Sequence, residues 1–326
     1  MLRVIGRILK WAFVVLVVLI VVLVCAWLYF GYSPVPEEPT LSALPAVFDL
    51  VLDGQQRSAV DYIPAQLPDH APLLIVLHGA VMNGAQMRIA TGYEFDELAD
   101  QRGFAVVYPN GYKGHWYDCR TRTRFPARRE NVDDISFITA LIQYEVTEHH
   151  IDPQRVFVTG FSNGGHMAFK LRAEAPHLIA GIAVTAASLV VTEDSDCAPQ
   201  RAASPVLMMN GTDDLLNAYD GGEKIIFGIA KRGRVMPTPK VADLFAKLNG
   251  VDQQSVVETL TNVDATDDTR VTKKSWRQVG RPPVVLYSIN GGGHVIPQPH
   301  YRFPRMYGLT SRDVDFPRIV VDFFGL

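Results

Sequence analysis

RVFVTGFSNGGHMAFKLRAEA, residues 155–175, is the stretch on which the fold turns. Its opening residues form a short apolar run suited to a strand buried on both faces. Met167, Ala168, Leu171 and Ala175 then mark one face of a helix. Between the two lies Gly160-Phe161-Ser162-Asn163-Gly164, which matches G-x-S-x-G. Such a pentapeptide is weak by itself, because an ordinary glycine-rich helix start looks the same. With a strand before it and a helix after it, it reads as a tight turn that forces a serine into strained backbone. The hydroxyl is then held at the carboxyl end of a sheet, beside helix N–H groups that favour developing negative charge.

Working outward, LLIVLHG (73–79), AVVYPNG (105–111), AGIAVTA (180–186), PVLMMNG (205–211) and PVVLYSIN (283–290) are further short apolar runs. Helical patterns separate most of them. One has Asn131 as its cap, Asp134 three residues on, and Ile135, Ile138, Leu141, Ile142 and Val146 on one face. Another has Thr238 as cap, Pro239 at its first position, Val241, Leu244, Phe245 and Leu248 inside, and Gly250 past its end. Pro317 opens a last short helix through Val321 and Phe324. VFDLVLDG alternates, carries the hairpin signal Asp53-Gly54, and returns as RSAVDYIP, which predicts an antiparallel start near Ala46. The alternation of strands and helices predicts an α/β fold with a mostly parallel central sheet covered on both faces.

A serine hydroxyl needs a base to act as a nucleophile at neutral pH. In this architecture an acid and a histidine follow the serine, each in a loop after a later strand. Of nine histidines, His294 and His300 lie beyond the last predicted strand. His294 directly follows Gly291-Gly292-Gly293, whose freedom lets the chain turn the ring back over the sheet edge, so it is the base. The acid falls after PVLMMNG, where Asp213 and Asp214 are both available and position alone does not separate them. Backbone N–H groups of Asn163 and of the His78-Gly79-Ala80 segment, Ala80 above all, are placed to hold an oxyanion. His78 precedes the nucleophile and reads as a residue that holds this loop by hydrogen bonding.

These residues resemble the esterase family of polyhydroxybutyrate depolymerases, feruloyl esterases and acetylxylan esterases, whose fold is the α/β-hydrolase fold. The resemblance runs through LIVLHG, VVYPNG with Trp116 behind it, VDDISFI, IDPQRVFVTGFSNGGHMAFKL, PVLMMNGTDD, YDGG and INGGGHVIP. It implies Ser162 as nucleophile, His294 as base and, from its Gly-Thr-x-Asp context, Asp214 as acid. It also implies that Trp116 and the segment after it lie near substrate. Departures occur at Asn210, where a histidine is common, at Leu215-Leu216-Asn217, and at Val295-Ile296. They leave the catalytic atoms in place and alter the pocket, so the family's named substrates transfer poorly.

The N-terminus sets the compartment. WAFVVLVVLIVVLVCAWLYF (11–30) carries no charge and is long enough as a helix to cross a bilayer. Arg3, Arg7 and Lys10 precede it and the next basic residue is Arg57, which predicts a cytoplasmic segment 1–10, a signal anchor 11–31, and export of the rest. The alternative, a cleaved signal peptide, has a shorter apolar region and a small-residue site that Val24-Cys25-Ala26 does not supply. Residues 32–45, with Pro34, Pro36, Pro39 and Pro45, read as an extended polar stalk, and 46–326 as one catalytic domain. In an oxidising compartment outside the cytoplasm, periplasmic or extracellular, a disulfide between Cys119 and Cys197 is permitted, with two unrelated thiols as the alternative.

Charge and the remaining polar clusters narrow the reading. A net charge of −3 supplies no field for capturing nucleic acid. Arg120, Arg122, Arg124, Arg128 and Arg129 read as a solvated basic loop, or as a site for acidic substrates or lipid headgroups. Asp264, Asp267 and Asp268 lack calcium-loop spacing and read as a hairpin turn, and His149-His150 as a helix end. No cofactor or metal is called for. The expected activity is hydrolysis of a carboxylic ester through an acyl-enzyme, outside the cytoplasm. The alternatives are a serine peptidase or thioesterase on the same triad, or a silent membrane-held binding protein. The natural substrate and oligomeric state are not legible.

Overall fold

The computed structural model describes residues 2–52, 54–223, 225–226 and 230–326. The apolar runs become the middle of a ten-stranded sheet. In chain order the strands are β1 (Ala46–Leu52), β2 (Gln55–Tyr62), β3 (Leu73–Leu77), β4 (Ala105–Pro109), β5 (Val156–Phe161), β6 (Gly181–Thr185), β7 (Val206–Gly211), β8 (Ile225–Ile226), β9 (Ala230–Lys231), β10 (Val256–Thr259), β11 (Arg270–Trp276) and β12 (Val284–Asn290). The large sheet runs β1-β2-β4-β3-β5-β6-β7-β12-β11-β10, and β8 and β9 form a separate small hairpin. From β4 to β12 every pairing is parallel, while both edges are antiparallel hairpins. β3, β5, β6 and β7 are buried at every position, as strands covered on both faces must be.

Two cores lie against the two faces. One gathers α5 (Asp134–His149), α6 (Asn163–Glu174) and α7 (Thr238–Leu248) through Phe137, Leu141, Met167, Leu171, Val241 and Phe245. The other gathers α2 (Gly84–Ala90), α3 (Glu94–Arg102) and α8 (Phe316–Phe324) through Met87, Phe95, Leu98, Val320 and Val321. A short α4 (Pro126–Arg129) lies in the arginine-rich loop. This is the α/β-hydrolase fold. It is preceded by one long apolar helix, α1 (Leu2–Ala26), which continues as a wider turn over Trp27–Gly31 and is exposed along its length.

Several local expectations shift. The cap of α5 is Asp133, whose carboxylate accepts from the Ser136 N–H at 3.0 Å and its hydroxyl at 2.6 Å. Asn131 instead takes a left-handed turn, φ 50°, too early in the chain to reach the helix N–H groups. Thr238 is the first helical residue of α7 rather than its cap, because its hydroxyl faces inward and accepts from the Asn210 amide at 3.2 Å. Gly54 turns at φ 76°, and Asp53 of the hairpin signal lies outside the described residues. The Asp264–Asp268 segment joins antiparallel β10 and β11, a pair too short and too polar to register as apolar runs.

The largest departure is the segment 32–45. It has no helix or strand, yet it is fastened to the body. Glu38 pairs with Arg88 of α2 at 3.1 Å, and Ser42 gives its N–H and hydroxyl to Asp100 of α3 at 2.7 and 2.5 Å. Leu41 and Ala43 pack on the second core. A segment that reads as a free stalk is a strap, because ion-pair partners far away in sequence meet it on the folded surface.

Candidate active site

The elbow forms at the junction of β5 and α6. Ser162 has φ 53° and ψ −114°, a conformation that costs a β-carbon-bearing residue energy and that the surrounding structure must enforce. Gly164 makes this possible: a β-carbon there would sit 2.3 Å from the Leu77 carbonyl oxygen of β3, so only glycine lets the helix start so close to the sheet.

Three side chains remote in sequence meet here. Ser162 Oγ lies 2.8 Å from His294 Nε2, and His294 Nδ1 lies 2.8 Å from Asp214 Oδ2. A carboxylate only accepts, so Nδ1 carries the proton and Nε2 is left to accept from the serine hydroxyl. The other oxygen of Asp214 accepts the N–H groups of Leu216 and Asn217, each at 2.7 Å. Asp214 is 1% exposed, His294 4% and Ser162 8%. Asp213, the neighbour left open by position, is exposed and accepts from the Thr212 hydroxyl at 3.1 Å. The triple glycine serves mainly close approach. A β-carbon on Gly293 would lie 2.1 Å from the Tyr307 carbonyl, whose oxygen accepts from His294 N–H at 2.7 Å.

The two predicted oxyanion segments are tied together through Trp116. His78 is fully buried; its Nδ1–H donates to the Gly79 carbonyl at 2.7 Å and its Nε2 accepts from Gly111 N–H at 2.9 Å. Burial pushes its pKa down to about 4, so the ring stays neutral and keeps both bonds. Trp116 Nε1–H donates to the His78 carbonyl at 3.0 Å, and Trp116 N–H donates to Asn163 Oδ1 at 2.8 Å. Trp116 is itself fully buried and does not line the cavity, so its place is behind the loops rather than against substrate. The reason is its indole N–H, which a buried position must satisfy and the His78 carbonyl does.

Sequence reading missed the next layer. Asn163 Nδ2 donates to Asp118 at 2.7 Å, and Asp118 is held by Arg120, whose Nε lies 3.1 Å from its Oδ1. Arg120 beside it, with hydrogen bonds, holds the Asp118 carboxyl below its ordinary range despite full burial. Three of the five loop arginines are therefore paired: Arg120 with Asp118, Arg122 with Asp194 at 3.1 Å and Arg128 with Asp196 at 2.6 Å, while Arg124 and Arg129 are exposed. Cys119 and Cys197 are bridged between these pairs, with Cα atoms 5.2 Å apart. Alternating Arg and Asp distant in sequence give no local signal of pairing.

A cavity of about 940 Å³ opens over Ser162 and His294. Ala80, Met82, Ile89, Phe161, Leu216 and Phe303 give it mostly apolar walls. Arg232 also lines it, its guanidinium 5.5 Å from the Phe125 ring centroid. Leu215 and Leu216, which stand where the resembling family differs, are in this wall.

Comparison with known proteins agrees with this architecture. Residues 58–216 match the family described as "Esterase PHB depolymerase". Over 304 residues the chain is 28% identical to "Putative esterase NocK" of Nocardia uniformis subsp. tsuyamanensis, covering 90% of this chain and 86% of that one. It is 28% identical over 256 residues to poly(3-hydroxyalkanoate) depolymerase C of Paucimonas lemoignei, covering 72% of this chain and 58% of that one. An acetylxylan esterase of Coprinopsis cinerea is 33% identical over 161 residues, 48% of this chain and 41% of that one. These last two relatives are thus matched over less than two thirds of their length. The solved acetyl xylan esterase from Aspergillus awamori superposes with a TM-score of 0.56 at 17% identity, over 86% of this chain and 99% of that one, and shares the fold. The chain is an ester-hydrolysing enzyme of α/β-hydrolase type. Over the matched residues it is similar to esterases of the polyhydroxybutyrate depolymerase and acetylxylan esterase type.

Proposed function

We propose that the chain is a serine carboxylic-ester hydrolase with Ser162 as nucleophile, His294 as base and Asp214 as the acid that orients it. One observation carries this: the unbroken hydrogen-bonded relay Ser162–His294–Asp214 at the floor of a cavity. His294 Nε2 takes the hydroxyl proton as Oγ attacks the ester carbonyl. The Ala80 and Asn163 N–H groups hold the oxyanion. His294 then gives its proton to the leaving alkoxide, and the acyl-enzyme remains. Water, deprotonated by the same nitrogen, attacks that ester; the acid leaves and Ser162 regains its proton.

The reaction runs outside the cytoplasm, with 1–10 inside, 11–31 in the membrane and 46–326 exported. Three features support this: the exposed apolar helix, the cations Arg3, Arg7 and Lys10 at one end of it, and a Cys119–Cys197 bridge of the kind that persists in oxidising compartments. Esters of small molecules or esters attached to a polymer are the substrate class. A fluorophosphonate probe followed by peptide mass spectrometry tests the nucleophile: the adduct is expected on Ser162, and a folded protein left unlabelled refutes it. Short-chain nitrophenyl esters set against peptide and thioester substrates test the class of bond. Protease accessibility of the domain in intact cells tests its side of the membrane.

A further inference from the structure

The mouth of the cavity is apolar and open. Val81 (78% exposed), Leu215 (58%) and Met306 (51%) stand at its rim, where a water-facing enzyme would gain by polar side chains. The segment that lines this mouth is also the one bound to the outer end of α1. Tyr301, Phe303, Pro304, Met306 and Tyr307 face the cavity. Between them the Arg305 guanidinium lies 4.8 Å from the Tyr29 ring centroid and 3.5 Å from its hydroxyl. The Ser33 hydroxyl donates to the Arg302 carbonyl. The strap adds a third tie, since Glu38 holds Arg88 of α2, the helix whose Gln86, Ile89 and Ala90 form another wall.

These ties fix where the mouth lies. An apolar span that ends at Phe30 puts Trp27, Tyr29 and Tyr32 at headgroup level, the usual station of such rings. A segment in direct contact with Tyr29 sits at that level too. We propose that the cavity takes its substrate from the outer face of the bilayer: an ester with a long apolar chain that resides in the membrane. The chain passes from lipid over Val81, Leu215 and Met306 into apolar walls, so its methylenes never face water on the way to Ser162. This rests on Ser162 as nucleophile and α1 as anchor.

The test uses the full chain in phosphatidylcholine vesicles, with 4-methylumbelliferyl oleate dissolved in the bilayer and 4-methylumbelliferyl acetate in solution. The comparison variant lifts the body away: a flexible Gly/Ser spacer of about 20 residues between Tyr32 and Ser33, together with Tyr29→Ala. Oleate turnover is expected to fall by roughly tenfold or more as the local concentration of the mouth at the bilayer drops, while acetate turnover stays within about twofold. Acetate turnover with oleate untouched, or oleate indifferent to the lift, overturns the inference and leaves the esterase reading standing. Loss of both activities in the parent overturns the nucleophile assignment, and the inference with it. Protein that does not float with the vesicles overturns the anchor.

Discussion

Two histidine–carboxylate groups in this molecule meet opposite fates. At the cavity floor, Asp214 accepts from His294 and from two backbone N–H groups, so its charge is surrounded by donors. On α5, Glu145 is fully buried near Asp61 and His149, and neither of its oxygens has a hydrogen-bond partner among the described residues. His149 Nε2 lies 3.6 Å from Asp61 and 4.0 Å from Glu145, too far to satisfy either. Burial, with Asp61 adding to it, pushes the Glu145 pKa up to about 8. The same residue types are a machine where donors preorganise the charge and a burden where they do not.

The comparison breaks first at the serine. Ser162→Ala is expected to lower kcat for a nitrophenyl ester by on the order of 10⁶-fold with the melting curve unchanged. Appreciable residual turnover in that variant contradicts the relay. Asp214→Asn is next, at about 10⁴-fold in kcat, because an amide presents the wrong hydrogen-bonding partner to Nδ1. A loss shared equally by Asp213→Asn would move the acid to its exposed neighbour.

Glu145 probes the other group through stability. The unfolded chain releases this proton near 4.5 and the folded chain near 8. Between those values the folded state holds the extra proton, so stability falls as pH rises through that window. Glu145→Gln keeps the shape of the neutral acid and abolishes the loss. The variant and parent are expected to melt together near pH 4.5. By pH 8 the variant is more stable, by no more than on the order of 4 kcal/mol. A constant difference across pH shows that Glu145 keeps its charge on a partner.

The smallest effect is expected one layer behind the site. Asp118→Asn leaves the relay intact but weakens the hold on the Asn163 side chain, whose backbone N–H is a proposed oxyanion donor. kcat is expected to fall by roughly tenfold with KM nearly unchanged. An increase confined to KM places Asp118 in substrate binding instead.

Much of this enzyme was legible before folding. The parallel strands announce themselves as apolar runs because burial on both faces excludes polar residues. The elbow announces itself because its backbone admits little but glycine around Ser162. His294 follows from its place after the last strand and its triple glycine. Asp214 was separable from Asp213 only by family resemblance, since both occupy one turn and differ in which way that turn points.

The tether shows the other limit. Pro34 to Pro45 has the composition of a free stalk, and composition describes a chain's local preferences only. Whether Glu38 meets Arg88 and Ser42 meets Asp100 depends on where α2 and α3 stand in space. The same holds for Asp118 and Arg120 behind Asn163 and for the arginines that read as a basic surface yet pair with Asp194 and Asp196. Local backbone and burial demands are written residue by residue, so the sequence by itself determined the sheet, the elbow and the apolar helix. Pairings between distant charged groups have no such local signature, and only the tertiary structure decided how the elbow is braced and which way its cavity opens.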